Sequence, residues 1–291
     1  MVLFHDGQKQ MISESVSRKY SHLQSILREM GSLAIGYSGG VDSTLLLKVA
    51  VDTIGDRAVA MIGRSETYPT REFQEALELA TSIGARIVVV NTEETDVVKF
   101  TENPPDRCYF CKTELFGKLE DLAAREGLSW IADGTITDDV GDFRPGMKAK
   151  SEKHVRSPLL EAVMSKAEVR ELSRHLELST WDKPAFACLS SRFPYGMGIT
   201  RENLTKVDRA ETLLRDMGFR YFRVRFHDER TARIEVGAHE IPLLLQGENR
   251  EKVVAELKQL GFTYVTVDLQ GYRTGSMNEV LSASVKNQYS S

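Results

Sequence analysis

The residues best suited to chemistry are three cysteines, two of which form a C-x-x-C pair. Cys108 and Cys111 lie within "PPDRCYFCK" (104–112), and Cys188 is the third. This spacing serves a metal site, a redox-active pair or the packing of reduced thiols in a core. The two prolines before the pair predict an exposed turn there. A thioredoxin-like pair opens a helix instead, so the redox interpretation gains little from this position.

Metal chemistry is restricted by the small number of candidate ligands. Zinc takes four ligands, and the chain has neither a second C-x-x-C nor an H-x₃₋₅-H motif. His154 is a candidate fourth ligand, but no motif surrounds it. Three thiolates suit an iron–sulfur cluster with one iron left open, and such an iron can hold an extra sulfide. Three reduced cysteines in a core remain the alternative, because free cysteine is among the most buried residue types.

The second chemical signal is a glycine-containing loop between a predicted buried strand and a predicted helix. It lies in "LAIGYSGGVDSTLLLKVAV" (33–51) and comprises Ser38, Gly39, Gly40, Val41, Asp42 and Ser43. Glycines let backbone N–H groups crowd around a phosphate oxygen, and a helix N-terminus adds positive partial charge. The spacings of a Walker loop and of G-x-G-x-x-G are both absent. We therefore expect a loop that binds phosphate without γ-phosphate transfer or a dinucleotide, with Asp42 and Ser43 positioning phosphates or a metal ion.

Further polar residues follow other predicted strands. Ser65 lies in "GRSETYP" (63–69), which follows the second strand and is expected to meet an adenosine. Gly134 belongs to "DGTITDD" (133–139), which follows a later strand and offers polar side chains to ATP or Mg²⁺: Asp133, Thr135, Asp138 and Asp139. Ligands of parallel sheets bind at the carboxyl ends of the strands. We expect these segments to face the phosphate loop; the alternative is a set of solvated acidic loops.

The elements that must position these residues alternate between strands and helices. Nearly continuous apolar runs predict strands over 33–37, 58–63, 86–91 and 130–132, each buried on both faces. Apolar residues at helical spacing predict a helix over 70–84, and a capping box of Ser165 and Glu168 opens another over 165–178. This alternation predicts an α/β fold, with a parallel sheet and helices on both faces.

A second, smaller unit is predicted after the turn-rich stretch 183–200. The pattern that follows indicates two helices and three strands, the first two strands antiparallel about "DER": 201–217, 219–227, 231–236, 248–260 and 263–269. We expect two domains, 1–195 and 196–291, the second a small α+β domain for substrate binding or oligomerisation. Arg223 and Arg225 lie two residues apart on a predicted strand and so share one face, which suits a phosphate or a solvated surface.

The composition of the whole chain limits its compartment and partners. The 291 residues are 41% hydrophobic, enough for a sizeable core, and the odd count of three cysteines indicates a reducing compartment. A formal net charge of −4 gives no global attraction for a nucleic-acid backbone. Residues 1–35 lack a signal-peptide layout, and no apolar run approaches the roughly 20 residues of a membrane span. We expect a cytoplasmic protein without a membrane partner.

Several motifs together resemble a known family. The run S-G-G-x-D-S after the first strand resembles the pyrophosphate loop of the ATP pyrophosphatases, which split ATP between its α and β phosphates. With "NPPDRCYFCK", "RSPL", "KPAFACLSSRFPYG" and "GYRTGSMNEVL" in this order, the chain resembles the LarE family of ATP-dependent sulfur transferases over most of its length. The resemblance implies an adenine nucleotide alpha hydrolase-like fold, ATP and Mg²⁺ as cofactors, a small-molecule nucleotide substrate and a homo-oligomer.

The resemblance also implies roles for particular residues. Family members adenylate a carboxylate of pyridinium-3,5-biscarboxylate mononucleotide and convert it to a thiocarboxylate, for the nickel-pincer cofactor of lactate racemase. Cys188 matches the cysteine that carries the sulfur, which single-cysteine members give up from their own side chain. Cys108 and Cys111 resemble a branch in which three cysteines bind a [4Fe–4S] cluster that supplies the sulfur, the version favoured here. Three positions match the pocket for the substrate and its phosphate, and a fourth is a candidate by its closeness to Cys188: Glu211, Arg223 and Arg225, and Arg192.

Two other functions stay open at this point. Sulfur insertion into tRNA belongs to the same superfamily, although the acidic total charge of the chain disfavours a nucleic-acid partner. A nucleotide-binding redox sensor would instead use the C-x-x-C pair as a switch.

Overall fold

A computed structural model describes residues 12–140, 145–184 and 187–288. The strands in the first part of the chain are β1 (Leu33–Gly36), β2 (Ala58–Arg64), β3 (Arg86–Asn91) and β4 (Trp130–Ala132). The helices there are α1 (Glu14–Met30), α2 (Val41–Ile54), α3 (Thr70–Ile83), α4 (Val98–Thr101), α5 (Arg107–Glu126), α6 (Gly146–Glu152), α7 (Pro158–Glu161) and α8 (Lys166–His175). Every predicted strand and helix in this part is present, with ends that differ by a few residues.

The four strands form one parallel sheet in the order β3-β2-β1-β4. Leu33 of β1 pairs with Ala58 on one side and with Trp130 on the other. Successive side chains point to opposite faces, so Leu33 packs with α1, α2, α3, α7 and α8, whereas Ala34 packs with α5 and α6. Helices cover both faces of the sheet, and the predicted α/β class is confirmed.

The prediction that every strand is buried on both faces is wrong for β3. Within the described ranges this strand pairs with β2 alone and forms an edge of the sheet. Its residues are exposed or half-buried, and Val89 is 43% exposed. Valine and isoleucine favour half-buried strands as well as central ones, so an apolar run does not separate an edge from a centre.

The C-x-x-C pair lies on a helix, so the predicted exposed turn is wrong at the cysteines themselves. The chain turns just after the prolines, and α5 begins at Arg107. The helix is held by apolar residues at helical spacing that pack on the sheet: Phe116, Leu119, Leu122 and Ala123. Cys108 and Cys111 therefore stand on the same side at the start of α5, three positions apart.

The second part of the chain folds as a smaller α+β unit. Its strands are β5 (Phe222–Asp228), β6 (Thr231–Val236) and β7 (Tyr264–Val267), and its helices are α9 (Arg201–Asp216), α10 (Ile241–Leu244), α11 (Gly247–Gln259) and α12 (Ala283–Gln288). The sheet has the order β5-β6-β7, with β5 and β6 antiparallel as predicted and β7 parallel to β6. Its core is apolar and separate from the cores of the first sheet.

Residues from before the predicted boundary contribute to this second core. Phe100, Leu189 and Phe193 pack there with Val224 of β5. The division at 195/196 stays a prediction. In the ranges that the structure describes, no helix has both the length and the apolar character needed to cross a membrane.

Candidate nucleotide and sulfur site

The phosphate loop forms the tight connection between β1 and α2. Gly40 takes the N-cap position of α2 without a side-chain hydrogen bond, so no N-cap side chain occupies the first helical N–H groups. Gly39 has φ +61°, and a Cβ there would lie 2.8 Å from the Cβ of Ala76 on α3. Glycine at 39 is therefore required both for the backbone conformation and for space.

Hydroxyl groups brace the two ends of this loop. Ser43 Oγ accepts the Ser38 N–H at 3.3 Å, lies 3.1 Å from Ser38 Oγ and donates to the Gly40 carbonyl at 3.3 Å. The hydroxyl of Tyr68 donates to the Ser38 carbonyl at 2.8 Å. A braced turn at an uncapped helix N-terminus suits a phosphate or pyrophosphate anion.

The end of β4 packs directly on the loop. A Cβ at Gly134 would lie 2.9 Å from the Ser43 nitrogen, so this approach requires glycine. The neighbouring carboxylates have protein partners: Asp133 accepts from Thr135 and Ser157, Asp138 accepts the Lys166 N–H at 2.9 Å, and Asp139 accepts the Ile136 N–H at 3.1 Å. These bonds shape the segment 133–139, and Mg²⁺ binding by it stays a prediction.

Asp42 has a cationic partner that the sequence did not reveal. Both of its carboxylate oxygens accept from Lys166 Nζ, at 2.8 and 2.7 Å. Lys166 is the first residue of α8 and follows Ser165, whose predicted capping box with Glu168 is formed. A carboxylate beside an ammonium suits a magnesium nucleotide, because one attracts the metal ion and the other the phosphates.

A cavity of about 630 Å³ extends from the loop along the ends of the strands. This volume lies in the range of nucleotide and cofactor sites. Most of the predicted nucleotide-site residues and two of the cysteines line it: Ser38, Gly40, Val41, Asp42, Ser43, Ser65, Gly134, Asp138, Cys111 and Cys188. Gly39 and Cys108 do not line it. We call this space the nucleotide cavity.

The structure brings the three thiols into one neighbourhood. Cys111 and Cys188 line the same cavity, and Cys188 contributes to the raised pKa values of Cys108 and Cys111. The N–H of Leu189 donates to the Thr67 carbonyl at 2.8 Å, which fixes the turn that carries Cys188 beside the end of β2. None of the three cysteines forms a disulfide.

Burial raises the pKa of both thiols on α5. For Cys108, desolvation outweighs the opposing charge of Arg107. The pKa of Cys111 lies well above its ordinary value, because desolvation is reinforced by the carboxylate of Glu94. Both groups are therefore protonated thiols at neutral pH, and a thiol is a poor nucleophile compared with a thiolate.

Within the described ranges, no three or more histidine, cysteine, aspartate or glutamate side chains are arranged to hold a metal ion. His154, the candidate fourth zinc ligand, does not line the nucleotide cavity. A single ion binds sulfur ligands at about 2.3 Å and so draws them close together. In an iron–sulfur cluster each thiolate can bind a different iron, so the donors stand further apart. Three neighbouring thiols fit a cluster by the chemistry of the donor set.

A second cavity of about 250 Å³ adjoins the Cys188 turn, and we call it the arginine cavity. Arg192, Glu211 and Arg223 line it, and Lys183 lines both cavities. Arg192 is 1% exposed, pairs with both oxygens of Glu211 at 2.9 and 2.8 Å, and donates to the Cys188 carbonyl at 3.0 Å. The two cavities therefore adjoin at Lys183 and Pro184, and Arg192 links the arginine cavity to the turn that carries Cys188.

Arg223 and Arg225 are both on β5 as predicted, but their surroundings differ. Arg225 pairs with Glu235 at 2.6 Å and donates to the Ser276 hydroxyl at 3.0 Å, and it does not line the arginine cavity. Arg223 does line it. Burial and repulsion from Arg192 lower the pKa of Arg223 to about 10. Of the two, Arg223 is the side chain positioned to meet a ligand in this cavity.

Comparisons with known proteins decide the family. Residues 15–114 match the NAD synthase family. An uncharacterised Synechocystis protein, slr1717, is 44% identical over 91% of this chain and 98% of its own length. The pyridinium-3,5-bisthiocarboxylic acid mononucleotide synthase of Lactiplantibacillus plantarum is 39% identical over 92% of this chain and 96% of its own length.

The chain belongs to the LarE family. These are ATP-dependent sulfur transferases with an ATP pyrophosphatase domain, as the resemblance implied. GMP synthases, such as that of Aeropyrum pernix at 28% identity over 71% of this chain, share a more distant likeness.

Sequence reasoning missed several residues of this LarE-family site. Lys166 had a usable signal, because the capping box predicts that it stands at the start of a helix that follows the acidic segment. Thr67 and Glu94 had no such signal. Their positions depend on how the segments after β2 and β3 pack on α5, since Thr67 Oγ1 donates to Glu94 Oε1 at 3.0 Å.

Proposed function

We propose that the protein adenylates a carboxylate of pyridinium-3,5-biscarboxylate mononucleotide with ATP and converts it to a thiocarboxylate for a nickel-pincer cofactor. The observation that carries the proposal is that the phosphate loop and Cys188 line the same cavity. A sulfur atom delivered there can reach an acyl group activated on the loop. The name of the Lactiplantibacillus plantarum relative, which covers nearly the whole chain, supports the same substrate.

The reaction has two chemical steps at the phosphate loop. The substrate carboxylate attacks the α-phosphorus of ATP, the bond to the β-phosphate breaks, and pyrophosphate leaves. The N-terminal N–H groups of α2 and the Lys166 ammonium would stabilise the leaving charge, and Asp42 would hold the accompanying Mg²⁺. Hydrosulfide then attacks the acyl carbon, the bond from that carbon to the AMP oxygen breaks, AMP leaves, and the proton of the hydrosulfide is released to solvent.

Cys108, Cys111 and Cys188 would together hold a [4Fe–4S] cluster. When bound, the cluster would supply an open iron that carries the incoming sulfide. The support is the neighbourhood of three unpaired thiols at the edge of the nucleotide cavity. The competing version, in which Cys188 gives up its own sulfur and becomes dehydroalanine, needs no other thiol. It leaves the C-x-x-C pair without a role.

Arg223 would bind the substrate phosphate in the arginine cavity, with Arg192 held beside it by Glu211. Six basic and four acidic residues line this cavity, which leaves a net positive charge for an anion: Arg71, Lys183, Arg192, Arg215, Arg220 and Arg223, with Glu72, Glu75, Asp208 and Glu211. Glu211 acts by orienting Arg192 and by accepting the Val224 N–H at 2.9 Å. A homo-oligomer and a cytoplasmic location, both implied at the sequence level, stay predictions.

The redox-sensor alternative has less support than the enzyme. A sensor needs thiols with a lowered pKa, but burial raises the pKa of both thiols on α5. Their place at the start of a helix does match a redox pair, but the desolvation of the thiols opposes it.

Anaerobic reconstitution with iron and sulfide tests the proposal. We expect a brown protein that turns ATP and the pyridinium biscarboxylate substrate into AMP, pyrophosphate and thiocarboxylate. Cys108→Ala, Cys111→Ala and Cys188→Ala should each lose the colour and the product, whereas Thr113→Ala on the same helix should keep both. A Cys108→Ala protein with the same cluster and full activity would contradict the three-thiol site.

The mass of Cys188 after turnover separates the two sources of sulfur. An intact side chain with several products per chain supports delivery through the cluster. Loss of the sulfur after a single turnover would mean that Cys188 is consumed.

A further inference from the structure

Glu94 is a buried carboxylate in the nucleotide cavity that the proposed reaction does not use. It lies in a short turn after β3, is 4% exposed and lines the cavity. Its Oε1 accepts from Thr67 Oγ1 at 3.0 Å and lies 3.8 Å from the sulfur of Cys111. Its Oε2 has no hydrogen-bond partner among the described residues.

Four other carboxylates line the cavity. Asp138 and Asp139 accept backbone N–H groups, whereas Asp42 and Asp133 have cationic partners: Asp42 pairs with Lys166, and Asp133 pairs with Lys150 at 3.3 Å. Glu94 has no such cation: no lysine, arginine or histidine lies within ion-pair distance of it in the ranges that the structure describes. A buried polar atom without a hydrogen-bond partner is costly, and such atoms persist where a ligand satisfies them.

Glu94 is connected by hydrogen bonds to the Cys188 turn, which comprises Cys188 and Leu189–Arg192. Thr67 donates its hydroxyl to Glu94 and accepts the Leu189 N–H on its carbonyl, so one residue links the carboxylate to the turn. On its other side the same turn accepts from Arg192 in the arginine cavity. Glu94 therefore lies on the nucleotide-cavity side of the point where the two cavities meet.

A mononucleotide that spans the two cavities crosses where they adjoin, at Lys183 and Pro184, which line both; the Lys183 ammonium is already paired with Glu72 and Glu75. With its reacting carboxylate at the phosphate loop and its phosphate at Arg223, the substrate would have its ring between them. The ring of a pyridinium nucleotide carries a positive charge. A carboxylate of the nucleotide cavity with one unpartnered oxygen, linked through Thr67 to the turn that carries Cys188, is the matching group.

We propose that Glu94 is a specificity-determining residue that recognises the cationic ring of the substrate. This inference rests on the proposed function, since it assumes a pyridinium mononucleotide in the two cavities. The carboxylate pairs with the ring charge and so selects a pyridinium over a neutral ring of the same shape. The alternative partner for the Glu94 carboxylate is a hydroxyl or amino group of adenosine. The test separates this partner from the pyridinium ring.

Calorimetric binding of two probes to the full-length protein tests this role. The probes are nicotinic acid mononucleotide, whose ring is cationic, and its dihydropyridine form, whose ring is neutral. We expect the native protein to prefer the cationic probe by about 10-fold or more, and Glu94→Gln to lose that preference, because the amide keeps the shape but not the charge. Glu93→Gln, which removes an exposed carboxylate one position away, should behave as the native protein.

The remaining outcomes are each decisive. A Glu94→Gln protein that keeps the preference overturns the inference and leaves the proposed function intact. If Glu94→Gln instead loses ATP affinity with the preference unchanged, the carboxylate is assigned to adenosine, and the inference is overturned. A native protein that binds ATP but neither probe contradicts the proposed function itself. Glu94→Asp, which keeps the carboxylate on a shorter side chain, should retain part of the preference. This variant replaces Glu94→Gln in the test if the glutamine variant fails to fold.

Discussion

At the scale of the residue, the fold affects the charges of Arg192 and Arg223 in opposite directions. Arg192 is buried, but the two hydrogen bonds to Glu211 more than offset the desolvation, and its pKa is raised. Arg223 is half-buried, but its desolvation and the repulsion from Arg192 prevail, and its pKa falls to about 10. The fold therefore disfavours the charged form of Arg223, which is the behaviour of a binding group rather than of a structural one.

Replacement of Arg223 should separate binding from stability. We expect Arg223→Leu to leave the melting temperature unchanged or slightly higher, because the fold no longer buries that charge. Its affinity for a pyridinium mononucleotide should fall by about 10-fold or more, because a charge-assisted contact to the phosphate is lost. Calorimetry and thermal unfolding measure the two effects, with the exposed Arg230→Leu as the control. A large loss of stability with unchanged affinity would make Arg223 structural.

At the scale of the element, α3 and α9 are joined by a seam of charged contacts that links the two parts of the chain. Glu72 on α3 is 4% exposed and pairs with Lys183 at 2.7 Å and with Arg215 on α9. Thr70 donates to Asp208 at 3.0 Å, and Arg71 pairs with Asp216 at 2.6 Å. Because α3 also packs against Gly39, the same helix contacts the phosphate loop on one side and α9, which lines the arginine cavity, on the other.

The seam should make stability depend on pH in the acid range. Burial alone would raise the pKa of Glu72, but Lys183 and Arg215 more than offset this, and its pKa is lowered from 4.5. A lowered carboxyl pKa gives stability that is present above the ordinary value and is lost as the pH falls through the lowered one. We expect Glu72→Gln to lose about 2 kcal/mol at pH 7 and to show a shallower loss below pH 4.5.

Thermal unfolding between pH 3 and pH 7 measures this effect. Glu78→Gln, on the exposed side of the same helix, is the matched control and should follow the native curve. An unchanged acid limb in Glu72→Gln would mean that the seam does not hold the two parts together.

At the scale of the whole molecule, charge decides between a small substrate and a nucleic acid. The chain has 38 basic and 42 acidic residues, and the arginine cavity has a volume of only about 250 Å³. A phosphate backbone needs an extended basic surface, whereas a single phosphate needs only a small pocket. The Lactiplantibacillus plantarum relative, covered over 96% of its length, is named as a synthase of a pyridinium mononucleotide.

Filter binding of tRNA at about 50 and 200 mM salt tests this reading. We expect little retention at either concentration. Tight binding at the lower concentration that falls steeply at the higher one would support tRNA thiolation instead.

The sequence by itself determined the local features of this protein. The phosphate loop, the strands, the capping box at Ser165 and the β5–β6 hairpin follow from residues within a few positions of one another, which is the range over which helix caps, turns and periodicity act. The edge position of β3 and the helical position of Cys108 were predicted wrongly, because burial and helix formation there depend on what packs against them.

Tertiary structure alone decided how the site is assembled. Lys166 meets Asp42 across 124 positions, and Glu94 accepts a hydrogen bond from Thr67. Arg225 pairs with Glu235, whereas Arg223 lines a cavity. The meeting of Cys188 with the C-x-x-C pair was expected from the family resemblance, not from spacing. Such contacts arise from the packing of whole helices and strands, and no local pattern of residue types records them.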